Sequence, residues 1–105
     1  MPRLRPELRK EQILEAAMIV AERSGYKEML RREIAKEANC GNGTVSLYFG
    51  TMTQLHRAVM RKAIQDEILT IIAQGIAARD ANALKAPTDL RQAAMEWMLE
   101  CSPNL

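Results

Sequence analysis

Apolar residues recur along this chain at the spacing of helices, and turn-forming residues separate the periodic stretches. Just after Pro6, the stretch from Glu7 to Gly25 places Ile13, Ala17 and Val20 on one face with Leu14 and Ala16 beside them, which predicts a first helix. Gly25 suits the left-handed residue that ends it, and Tyr26 follows as an apolar anchor. A shorter helix is predicted from about Leu30 to Ala38, with Ile34, Ala35 and Ala38 facing inward and Arg31, Arg32 and Lys36 facing elsewhere. The run Asn39-Cys40-Gly41-Asn42-Gly43 is a concentrated turn signal, because Asn and Gly tolerate positive φ and compete with helical hydrogen bonding. Residues 42–49 then have room for two helical turns before Gly50 stops them. Thr51-Met52-Thr53-Gln54 has the order of a capping box and opens a fourth helix, predicted over 52 to about 78. Its apolar members are Leu55, Val59, Ile64, Ile68, Ile71 and Ile72, and Gly75 weakens its last turn. Residues 79–87 read as a connection. Thr88 as N-cap and Asp89 in the first turn start a last helix ending near Cys101, whose apolar stripe is Leu90, Ala93, Ala94, Trp97, Met98 and Cys101.

No strand is needed, so the expected fold class is all-α: a three-helix helix-turn-helix unit, then one long and one shorter helix forming a dimerisation region. The expected division is 7–67 and 68–105. Composition supports this. The chain has 105 residues and a mass of 11.8 kDa, the size of one ordinary core, which disfavours a catalytic domain with a separate regulatory one. Hydrophobic residues at 48% and charged residues at 27% exclude disorder throughout. Aromatics are few (Tyr26, Tyr48, Phe49, Trp97), so the core is built from Ala, Leu, Ile, Val and Met, which favour helices. No apolar run approaches a membrane span and the N-terminus lacks the core of a signal peptide, so a cytoplasmic location is expected. Cys40 and Cys101 form neither a disulfide framework nor a zinc set.

Charge changes the picture once it is divided along the chain. Residues 1–62 carry twelve Lys or Arg against seven Glu, a balance of +5; residues 63–105 carry three against six, a balance of −3, and together they give the overall +2. A basic front suits an anionic polymer and an acidic rear suits protein, although solvated helix faces give similar imbalances.

A short helix, a Gly/Asn turn and a second short helix bearing small polar groups form the arrangement of a helix-turn-helix. A helix about 10 to 12 Å across matches the DNA major groove, about 12 Å wide. Gly41 and Gly43 allow close approach of backbone to DNA. The segments ILEAA (13–17), Gly25-Tyr26, REIAKEA (32–38), GTV (43–45), YFG (48–50) and Leu55 occur in the order and spacing of the DNA-binding region of the TetR family of bacterial transcriptional regulators, which the sequence resembles over about residues 7–67. The resemblance implies a homodimeric repressor whose third helix reads double-stranded DNA at a palindromic operator, with long C-terminal helices making the dimer and the effector pocket.

By matching positions, the reading helix carries Asn42, Gly43, Thr44, Ser46, Leu47 and Tyr48. Thr44 and Tyr48 are assigned to phosphate, Asn42 and Ser46 to base edges, and Leu47 to a thymine methyl. Arg31 and Arg32 reach phosphate or guanine, and Thr51 completes the DNA-binding set. The sequence departs from the family in having Met29-Leu30 where a Ser or Thr cap is frequent, Ser46 where an aromatic residue is frequent, and Met52 where a Lys is frequent. The missing Lys removes a phosphate contact. The basic arm of Arg3, Arg5, Arg9 and Lys10 is expected to be a solvated tail, with compensating DNA contact as the alternative.

Other candidates have plainer readings. Phe49, Tyr26 and Val45 are expected in the core. His56 has no second ligand at metal spacing, Cys40 reads as a small buried residue, and the pairs Glu33/Glu37 and Asp66/Glu67 read as surface charge. With no nucleophile and base, no metal set and no phosphate loop, an enzyme, a cofactor and a metal are not expected. After the fourth helix begins, the chain offers too few elements to enclose a pocket for a drug-sized inducer. The stripe of Leu90, Ala94, Trp97 and Met98 is therefore expected to bury against the fourth helix and against a second subunit, with control by concentration or by a regulatory protein partner. The alternative keeps the fold but makes the chain an interaction module or antagonist acting through that stripe.

Overall fold

The computed structural model describes residues 5–100, and the described residues are helical without a strand. The first helix, α1 (Pro6–Ser24), starts one residue earlier than the apolar pattern suggests, because proline is itself suited to the first helical position. Arg9 and Lys10 are therefore helical, against the expectation of a solvated tail; Arg3 lies outside the described residues. The buried face of α1 carries Ile13, Ala16, Ala17, Val20 and Ala21. The helix ends at Gly25, whose φ of 106° and ψ of 143° lie in a region open essentially to glycine.

The helices α2 (Arg31–Glu37) and α3 (Asn42–Phe49) form the helix-turn-helix. The former has no side-chain cap at Leu30; the Leu30 carbonyl alone accepts from Glu33 N at 3.0 Å and Ile34 N at 3.1 Å. The turn that follows is left-handed at Asn39, with φ of 56°. There Asn39 N donates to Lys36 O (3.2 Å) and Cys40 N donates to Ala35 O (2.9 Å), the two bonds of a Schellman closure.

The fourth predicted helix is broken in two, α4 (Met52–Gln65) and α5 (Leu69–Ala77). Thr51 does cap α4: its side chain accepts from Gln54 N while the Gln54 side chain accepts from Thr51 N. The break is a second Schellman closure, with Glu67 N bonded to Ile64 O (3.3 Å), Ile68 N bonded to Ala63 O (2.8 Å) and Glu67 at φ 55°. An unbroken helix of 27 residues would run about 40 Å and carry Ile71 and Ile72 away from the core. The turn instead folds α5 back against α4, where Ile71, Ile72 and Ala73 are buried.

A third such closure at Arg79 (φ 56°) ends α5 and leads into the short α6 (Ala81–Leu84), in the stretch expected to be a plain connection. Asp80 caps α6 by accepting from Asn82 N and Ala83 N. Gly75 lies at the crossing of α4, α5 and α6, where a methyl group would strike the Met60 and Ala83 side chains. The last helix, α7 (Thr88–Glu100), packs most extensively on α5. Pro87 O accepts its first bond, from Arg91 N at 3.0 Å, so Thr88 is a helical residue and not the cap. Cys101, placed at the end of the stripe, lies outside the described residues.

One aromatic residue ties these elements together. Tyr26 is fully buried, and its hydroxyl lies 2.9 Å from the His56 carbonyl and 3.1 Å from Asp80 Oδ1, so one proton serves two acceptors. Its backbone N–H donates to Gln74 Oε1 at 2.7 Å. The His56 ring meets Tyr26 edge to face at 5.1 Å, with its nitrogens 2.7 Å from Met52 O and 3.1 Å from Tyr26 O. The expected core residue is thus also a polar junction between the α1–α2 turn, α4 and the start of α6.

Candidate nucleic-acid interface

The helix α3 is short enough that its burial pattern can be read residue by residue. Val45 and Phe49, one turn apart, are buried and fix its inner face. Asn42, Gly43 and Leu47 are exposed, and Thr44, Ser46 and Tyr48 are half-buried between the two faces. Leu47 is 79% exposed, more than any other large apolar residue of the described chain. An isolated leucine in water needs no special account, but this one sits among small polar groups on the outer side of a helix-turn-helix.

Several assigned side chains are already engaged. Ser46 Oγ donates to Asn42 O at 3.2 Å, so it meets an outside group as an acceptor. The Thr51 hydroxyl is occupied by Gln54 in the α4 cap, which makes Thr51 chiefly the residue that fixes where α4 starts. Tyr48 packs its ring partly against the core. Arg31 Nη2 donates to Gly50 O at 3.3 Å and its Nε is shielded without a partner, so Arg31 braces α2 against the end of α3. Arg32 is exposed. A methyl group built on Gly41 or Gly43 would touch nothing, so the space over the start of α3 is open to a partner.

Sequence reasoning singled out neither Arg57 nor Arg61, which are exposed on α4 at the i, i+4 spacing that puts them on one face. That spacing was the available signal. At the other end of the molecule, the stripe expected at a subunit interface is largely taken up inside the chain. Ala94 has no exposed surface and contributes to the core, while Leu90, Trp97 and Met98 are half-buried. The interface role given to Ala94 is therefore corrected: α5, folded back by the break at Glu67, occupies that face. The outward apolar residues of α7 are Met95, 52% exposed, and Leu99, 65% exposed, along an open groove of about 390 Å³.

Among the described residues there is no group of three or more His, Cys, Asp or Glu side chains able to hold a metal, and no helix is long and apolar enough to cross a membrane.

A family model described as bacterial regulatory proteins of the tetR family matches residues 13–59, from the buried face of α1 through the first half of α4. The HTH-type transcriptional regulator BetI of Paraburkholderia phymatum is 33% identical over 60 residues, which cover 57% of this chain and 31% of that protein. The chain thus spans about a third of the length of the curated relative it matches. No solved structure matches.

Proposed function

We propose that this chain, whose residues 13–59 match the model of the tetR family of bacterial regulatory proteins, is a homodimeric repressor of that family that reads a palindromic operator with α3 in the major groove. The observation that carries this reading is the outer face of α3, where Asn42, Gly43 and the bare Leu47 are exposed and the space over Gly41 and Gly43 is open. In this reading Asn42 and Ser46 meet base edges, the latter as an acceptor, and Leu47 meets a thymine methyl. Thr44, Tyr48 and Arg32 hold phosphates, and Arg31 and Thr51 keep the two reading elements in register. Residues 7–67 act as the reading unit and 68–105 as the pairing unit, with binding in the cytoplasm and no added small molecule required.

Pairing runs through the outward side of α7, where Met95 and Leu99 offer the apolar row that α5 leaves free, while Leu90, Trp97 and Met98 are half-buried. Half-sites should then lie about 34 to 36 Å apart or at a multiple of that distance. The same exposed row supports a second reading, an interaction module whose partner is another protein. Selection of bound duplexes from a random pool, followed by gel-shift titration of the purified chain at two salt concentrations, tests the proposal. Recovery of a palindrome that shifts as a two-chain complex is the expected result; binding without sequence preference, or none, overturns it.

A further inference from the structure

Beside the end of α3 runs a groove between α1 and α4, of about 270 Å³, with Leu14, Ala58 and Phe49 as its apolar part. Lys10, Arg57, Arg61 and Lys62 line it, and no acidic residue does. Lys62 is paired with Asp66 at 3.1 Å, at the end of α4 far from α3. Lys10, Arg57 and Arg61 make no ion pair with any described residue. The Lys10 ammonium is held over the Phe49 ring, 5.5 Å from its centre, which places a cation next to the last residue of the reading helix. Three unneutralised cations around a partly apolar groove repel one another and gain from an anion.

We propose that this groove carries the sugar–phosphate backbone flanking the base-read half-site, so that each chain grips DNA beyond the reach of α3. The inference rests on the DNA-reading function proposed above. Duplex DNA is favoured over an acidic protein segment because the groove is continuous with the reading unit: Phe49 is both the last residue of α3 and part of the groove wall, so a strand held beside Tyr48 continues toward Lys10 and Arg57. Guanidinium groups one turn apart on α4 can each take a phosphate in fork geometry, and the flanking contacts add affinity without adding sequence preference.

The test uses the full chain and its selected operator. Lys10→Gln, Arg57→Gln and Arg61→Gln are combined in one variant; all three residues are exposed, and a thermal melt matched to the parent confirms folding. The variant should weaken binding to all sequences alike, keep the same sequence preference, and lower the slope of log affinity against log salt by between about two and three. Hydroxyl-radical protection of the flanks should vanish while protection of the half-sites remains. Trimming the flanks from the duplex, which leaves the protein untouched, should reproduce the loss for the parent and add nothing further for the variant. An unchanged salt slope and footprint in a variant that still binds DNA would overturn the proposal, as would loss of binding to polyglutamate with DNA binding intact, which would assign the groove to acidic protein. Failure of the parent chain to bind any DNA would instead overturn the DNA-reading function.

Discussion

At the residue scale, Tyr26 shows how one side chain can be read correctly and incompletely. Its place after Gly25 marks it as an anchor, but its hydroxyl partners, His56 O and Asp80, are 30 and 54 residues away in sequence, and no periodicity points to them. Tyr26→Phe should cost about 1 to 3 kcal/mol, measured by urea denaturation, because it leaves a carboxylate and a carbonyl with one partner fewer in a buried place. Burial, then the negative charge of Asp80, then its hydrogen bond, all push the Tyr26 hydroxyl well above the ordinary tyrosine range. The folded state therefore holds this proton more tightly than the unfolded chain does. That stability is fully present below pH about 10, the unfolded tyrosine value, and is lost as pH rises beyond it by up to about 1.4 kcal/mol per unit. The Tyr26→Phe protein should lack this alkaline component, and parallel alkaline slopes for the two proteins would contradict the assignment. On the reading face, Asn42→Ala should cost about 1 to 3 kcal/mol of binding and relax preference at one base position, whereas Arg32→Ala should weaken all duplexes alike and reduce the salt slope by about one. Equal behaviour of the two in gel-shift titrations would erase the distinction between base and phosphate contacts.

At the scale of elements, the legible features were those with local causes. The bounds of α3 follow from Gly41 and Gly50, the start of α4 from the Thr51–Gln54 box, and the inner faces from helical periodicity. The break between α4 and α5 was not legible, because its left-handed residue is Glu67, and Arg79 does the same at the end of α5. Only at Asn39 does the Schellman closure use a residue that advertises it. The cost falls on the backbone: a left-handed non-glycine residue is strained by about 1 to 2 kcal/mol. Glu67→Gly should accordingly raise stability by up to about 1 kcal/mol, since relief of strain exceeds the added entropy of the unfolded chain, and a calorimetric midpoint below the parent's would refute this. The uncapped start of α2 offers a second gain. Leu30 is exposed and stands at the cap position, so Leu30→Ser should add about 1 kcal/mol by satisfying a free N–H, read from the urea midpoint. The site was legible to the same extent: the residues of α3 could be named from the sequence, but the engagement of Ser46, Arg31 and Thr51 and the gathering of Lys10 with Arg57 and Arg61 depend on how helices cross.

At the scale of the whole molecule, the division into a basic front and an acidic rear corresponds to two ends with different surfaces. The front presents α3 and the cationic groove; the rear presents α7, with its inner stripe spent on α5 and its outer row of Met95 and Leu99 in water. Leu99→Glu should leave the melting temperature within a few degrees of the parent, because the side chain is exposed, while sedimentation shifts toward the monomer and operator affinity falls at least tenfold. An unchanged sedimentation profile would move pairing away from α7 and favour the protein-partner reading of that row. The junction at Tyr26 also bears on how such molecules can be recombined. A reading head cut at residue 62 and grafted onto another helical body would bring with it the Tyr26 N–H with no amide at Gln74 to receive it and a buried phenol left with the His56 carbonyl alone. A chimera that melts at a lower temperature than the parent is the expected failure, and transplanting the segment from Gln74 to Ala83 along with the head is the smallest change that should repair it.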